Sequence, residues 1–148
     1  MMLEKEFQKK RISLSLMIAV FLILAFCASF APWFNIGYDM SSVWGLTAMI
    51  EGYLIIPFIF AVAFMMLYQA EKKLRYGILT EVSFFVLFGL YFRSLVKFQM
   101  FYQPALGADF QTGLDYGISS SKVFFWISAA FTAVAFIIFQ FSFFSRKK

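Results

Sequence analysis

Apolar positions gather into four long runs, about 12–31, 47–69, 77–101 and 123–144, separated by segments rich in polar and turn-forming residues. Each run reaches roughly 20 residues, the length at which an α-helix crosses a hydrocarbon core of about 30 Å. Lipid offers no partner to an exposed peptide group, so such runs cross as helices. The pattern predicts an all-α membrane protein: a four-transmembrane-helix bundle of two antiparallel hairpins, forming a single integral membrane domain over 1–148. Residues 32–46 and 102–122 become loops on one side. The short 70–76 turn on the other makes spans two and three antiparallel neighbours. Pro32 stops the first run, because it donates no hydrogen bond and restricts the residue before it. Pro57, early in the second run, is a candidate kink.

Composition agrees with this pattern. Of 148 residues 62% are hydrophobic, only 14% are charged, and 23 are Phe. A soluble domain of that length needs more polar surface to stay dispersed. The net charge of +5 would by itself suit an anionic partner such as nucleic acid, but the positions of the charges argue against one. Lys5, Lys9, Lys10 and Arg11 precede the first run, Lys72, Lys73 and Arg75 lie between the second and third, and Arg146, Lys147 and Lys148 follow the fourth. The other two loops carry Lys122 with Asp39, Asp109 and Asp115. All three basic clusters thus fall on one side, which by the positive-inside rule is cytoplasmic together with both termini. Contact with lipid headgroups accounts for the basic balance without nucleic acid.

The first run also has the outline of a cleaved signal, with Ser29 and Ala31 as small residues near its end. Leu24-Ala25-Phe26-Cys27 resembles a lipoprotein box but carries Phe26 where a small residue belongs. The run is long enough to span, so retention as a first helix is expected. Cys27 is the lone cysteine and there is no His. No internal disulfide and no His/Cys metal set can form, and no cofactor is expected.

Polar residues inside the runs are the candidate chemistry. Counted at 1.5 Å per residue, Glu51 lies ~27 Å above Gln69 and Arg93 ~25 Å above Tyr76. The two are expected to form an intramembrane ion pair, with Lys97 one turn beyond Arg93 on the same face. Glu81, ~8 Å above the inner boundary, is level with Gln140. With Ser13 and Ser15 they make an inner polar cluster, read either as a cation or proton site or as a hydrogen-bonded structural carboxyl. Small residues from Ser128 to Ala135 suit close helix approach, and Phe84, Phe85, Phe88 and Phe92 supply bulk against them or against lipid.

Trp33, Trp44 and Trp126 fall near the outer boundary and Tyr68 and Tyr76 near the inner one, as an aromatic belt would. In the outer loops Trp33, Tyr38, Trp44, Phe110 and Tyr116 are the candidates for holding a partner, since aromatics are enriched at binding surfaces. Ile36-Gly37-Tyr38-Asp39-Met40 echoes Leu106-Gly107-Ala108-Asp109-Phe110, as duplicated hairpins or chance would produce. Two loop Asp without further acids are a thin basis for Ca²⁺. There is no nucleophile beside a base and no phosphate-binding glycine loop, so catalysis is not expected.

Pro32-Trp33 at the end of the first run, Trp44-Gly45-Leu46 before the second and Tyr116-Gly117 before the fourth resemble small uncharacterised prokaryotic four-span proteins. Trp44-Gly45-Leu46 is also similar to the first loop of claudin-like tetraspan proteins, although this loop lacks the two Cys of that family. The likeness is one of topology. It implies association in the membrane rather than catalysis. With catalysis set aside, an accessory, immunity-type or sensor protein with a membrane-protein partner or self-association is expected, and richness in Phe, Ile and Lys with short loops suggests a bacterial plasma membrane. A homo-oligomeric channel is the alternative.

Overall fold

The computed structural model describes the backbone of residues 2–36, 41–102, 114, 115 and 118–144, and the side chains of 14–35, 42–96, 114, 115 and 118–144. The architecture is all-α apart from one short hairpin. Helix α1 runs Met2–Cys27 and ends in a 3₁₀ turn, Ala28–Phe30. Strands β1, Pro32–Ile36, and β2, Ser41–Trp44, pair antiparallel, and the short helix α2, Gly45–Glu51, follows at once. The long helices α3, Ile55–Glu71, α4, Leu74–Tyr102, and α5, Val123–Phe144, complete the chain. Two helix stretches, Leu74–Val96 and Val123–Phe144, are long and apolar enough to cross a membrane, and α2 with α3 forms a third only if the broken pair is one span. Among the described side chains of α1 and its 3₁₀ turn, Leu14–Phe30 is apolar.

Packing follows the apolar stripes. α1 lies mainly against α5, and α3 mainly against α4. The Ser128 hydroxyl donates to the Ala25 carbonyl and Phe131 meets Phe21, so α1 and α5 run antiparallel. α4 and α5 are also antiparallel: Tyr91 meets Phe125, Phe84 meets Phe136, and the bare face of Gly77 holds the Phe143 ring. Aromatic rings fill this seam. Phe84 is wholly buried in it, whereas Phe85 is 65% exposed on the outer face, so the Phe cluster of α4 serves both core and exterior.

Three expectations about boundaries are corrected. Pro32–Ile36 and Ser41–Trp44 are paired antiparallel strands rather than irregular loop. Alternate residues of such a hairpin can face the helices, which lets it sit as a lid. The second run is not one helix from 47 to 69, because α2 meets α3 at 89°. That break lies at Gly52–Leu54, with Tyr53 at a left-handed φ of 60°. Pro57 is therefore not the kink. It sits in the first turn of α3, where a missing N–H costs nothing. The inner turn is also tighter than 70–76: Lys72 adopts φ 57° and its N–H closes onto the Tyr68 carbonyl at 2.9 Å, leaving two residues between α3 and α4. This is a left-handed helix cap on a non-glycine residue.

The two outer segments are knit together. Phe34 forms an antiparallel bridge with Ser121, and the Lys122 N–H donates to the Trp33 carbonyl at 2.7 Å. The Lys122 ammonium also donates to the Ser42 hydroxyl at 3.2 Å. The hairpin and the entry to α5 thus share one end of the molecule. The inner turn is at the other, where Tyr68 packs on Phe139 and Phe143.

Candidate functional site

The most organised group of side chains lies under the hairpin. Pro32 ends helical geometry, and the extended residue after it, Trp33, turns its indole inward. Trp33 is 0% exposed. Its ring stacks on Tyr91 at 5.8 Å and meets Phe125 edge-on at 5.5 Å. Its indole N–H donates at 3.0 Å to the Ala28 carbonyl, which also accepts the Ala31 N–H in the 3₁₀ turn after α1. Gly45 lies directly against the ring, and a Cβ built there would collide with the indole. The Trp44-Gly45 pair therefore divides its labour. Trp44 is 55% exposed, while Gly45 makes room for the other tryptophan.

Beneath the indole, hydroxyls close a polar network. The Tyr91 hydroxyl lies 2.7 Å from Ser128 Oγ and 3.5 Å from Thr132 Oγ1. Ser128 Oγ donates to the Ala25 carbonyl at 2.9 Å, so Tyr91 donates to Ser128. Thr132 in turn donates to the Ser128 carbonyl at 2.9 Å. α1, α4 and α5 are thereby joined by polar contacts at a level where unpaired groups are costly. Elsewhere in α4, the Thr80, Ser83 and Ser94 hydroxyls fold back onto carbonyls four residues earlier, the usual solution for a hydroxyl in an apolar helix.

The expected site residues fare unequally. Trp33 is not an exposed interaction residue or a belt tryptophan but the centre of the core. The sequence reading turns its ring outward, whereas the structure turns it inward. Tyr68 is likewise buried, at 4% exposure. Trp44 and Trp126 are exposed, and the Trp126 indole donates to Ser121 Oγ at 2.8 Å. Tyr38, Phe110 and Tyr116 lie outside the described residues, as do the side chains of Ser13 and Lys97. Glu51 and Arg93 are both exposed, and no ion pair joins them among the described residues. The reason is the break at Gly52. Glu51 ends a helix turned away from α3, so a straight count from Gln69 does not apply. The level itself is sound, for Gly52 packs on Ser94, next to Arg93.

Glu81, Gln140 and Ser15 are all half-buried. Gly77 against Phe143 and Phe84 against Phe139 bracket Glu81 and Gln140 at one height on the α4–α5 seam. No hydrogen bond joins the three among the described residues. An ion pair forms in the inner turn, where the Lys73 ammonium reaches Glu71 at 2.6 Å. That hydrogen bond, with the nearby charges of Lys73 and Arg75, holds the Glu71 carboxyl below the ordinary value. The described residues contain no group of three or more His, Cys, Asp or Glu arranged to hold a metal.

Sequence reasoning missed Tyr91, and it read Ser128 and Thr132 only as small. The available signal was their spacing: Phe125, Ser128 and Thr132 share one helix face, and a hydroxyl on such a face in lipid needs a partner. The chain matches no family model, no curated protein and no solved structure.

Proposed function

We propose that the chain is a four-span protein of a bacterial plasma membrane, with both termini cytoplasmic, that works without catalysis by holding another membrane protein. It would do so as an accessory subunit, an immunity-type protector or a sensor. One observation carries this reading. All four long helices turn bulky apolar side chains outward, among them Ile23 of α1, Ile59 of α3, Phe85 of α4 and Phe141 of α5. The core hydroxyls meanwhile are spent on internal hydrogen bonds. A neighbour in the membrane is thus offered apolar faces, with the exposed rings of Phe30, Trp44, Tyr53 and Trp126 among them. The homo-oligomeric channel is the second reading, favoured by the half-buried Glu81 and Gln140 at one level.

The topology has a direct test. In a Cys27→Ala background, a cysteine at Ser42 or Asp115 is expected to react with an impermeant maleimide from outside the cell, and one at Lys72 only after permeabilisation. Reaction of Ser42→Cys and Lys72→Cys from the same side would sink the four-span arrangement. The function is tested by gentle purification of tagged protein from its native membrane, followed by native mass spectrometry. A stoichiometric second protein is the expected result. A pure homo-oligomer overturns the accessory reading and makes conductance of Glu81→Gln the next measurement.

A further inference from the structure

We infer that the outward face of α4 around Gly89 and Arg93 binds an anionic phospholipid, with its phosphate on the Arg93 guanidinium and an acyl chain along the opening at Gly89. Arg93 lies in the apolar stretch of α4, beside Ser94, against which Gly52 at the break of the second run packs. It is exposed, and its side chain makes no hydrogen bond or ion pair with any described residue. A guanidinium stays charged at any physiological pH, so it must find an anion rather than neutralise. Tyr91, two residues earlier, stacks on Trp33 of the hairpin, so Arg93 stands at the hairpin end of the molecule, from which a long side chain reaches the headgroup layer. There the planar fork of the guanidinium matches two phosphate oxygens at once.

Gly89 stands one turn below Arg93 on the same face. A Cβ built on Gly89 meets nothing within 4 Å. On either side the face is bulky: Phe85 is 65% exposed, Val86 48% and Phe92 49%. The result is an open slot between protruding side chains, directly under a cation. Its shape discriminates between occupants. A second helix packs closely when small residues repeat four apart, but four residues on either side of Gly89 are Phe85 and Arg93. Those side chains hold a helix backbone away, whereas a thin acyl chain passes between them. Charge and level then select a lipid whose headgroup is anionic.

The test is photolabelling of the full chain in phosphatidylcholine vesicles containing a phosphatidylglycerol analogue with a diazirine on its acyl chain. Labels should concentrate on α4 between residues 82 and 92. Arg93→Gln should reduce that labelling about fivefold, and Gly89→Leu should reduce it by filling the slot, with labelling of α1 and α5 unchanged. Unchanged labelling of α1 and α5 also reports that the variants remain inserted. Equal labelling of α4 in Arg93→Gln, or by a phosphatidylcholine analogue carrying the same diazirine, overturns the proposal. So does a benzoylphenylalanine at Val86 that crosslinks in cells to a protein or a second copy instead of lipid.

Discussion

Trp33→Ala is expected to cost the folded protein about 3–5 kcal/mol, the range for removing a large aromatic from a close-packed core. The indole is fully buried and contacts Tyr91, Phe125 and Gly45 at once. Its removal leaves a cavity where α1 ends, where the hairpin is anchored, and where α4 and α5 meet. Trp33→Phe separates volume from hydrogen bonding. It keeps most of the ring and removes only the indole N–H bond to the Ala28 carbonyl, which retains the Ala31 N–H, so about 1 kcal/mol is expected. Trp44→Ala removes a 55% exposed ring and should stay within about 0.5 kcal/mol. Thermal unfolding of the three variants in one detergent, followed by circular dichroism, gives the order. If Trp33→Ala melts no earlier than Trp44→Ala, the hairpin is not pinned through Trp33.

That contrast between two tryptophans in one segment marks how far the sequence could be read. Hydropathy reports depth, because burial in lipid or protein both demand apolar side chains. The long runs, the inner turn and the shared end of the outer segments were legible on that ground. Hydropathy does not report azimuth. Trp33 beside Pro32 has the composition of a belt residue, and only the hairpin turns it inward. The bend at Gly52 was hidden for a related reason: apolar residues continue through it, and the left-handed backbone of Tyr53 leaves no mark in a pattern. The expected Glu51–Arg93 pair was counted along a straight second helix, and the bend removes that count. The hydroxyl network went unread, because Ser128 and Thr132 read only as small residues of the fourth run. Its partners, the Ala25 carbonyl and the Tyr91 hydroxyl, come from two other helices, and no local period connects them.

Gly45→Ala should be the second severe change, and its cause lies in space rather than backbone freedom. The added methyl would overlap the Trp33 indole. Gly45 cannot retreat easily, because its N–H is tied to the Ala31 carbonyl at 2.9 Å. The ring cannot yield either, held between Tyr91 and Phe125. Overpacking of this kind costs about 1–3 kcal/mol, and here it also strains the bond from the indole to Ala28. The proof is a double-mutant cycle. With Trp33→Ala already in place, the methyl has room, and Ala at the first position of α2 is a better helix former than Gly by up to about 1 kcal/mol. Gly45→Ala should therefore be destabilising alone and neutral to stabilising beside Trp33→Ala, a coupling of about 2 kcal/mol for touching residues. An equal cost in both backgrounds would mean that the glycine answers to something other than the indole, and the account of Trp44-Gly45 as a paired exposed ring and internal notch would fall.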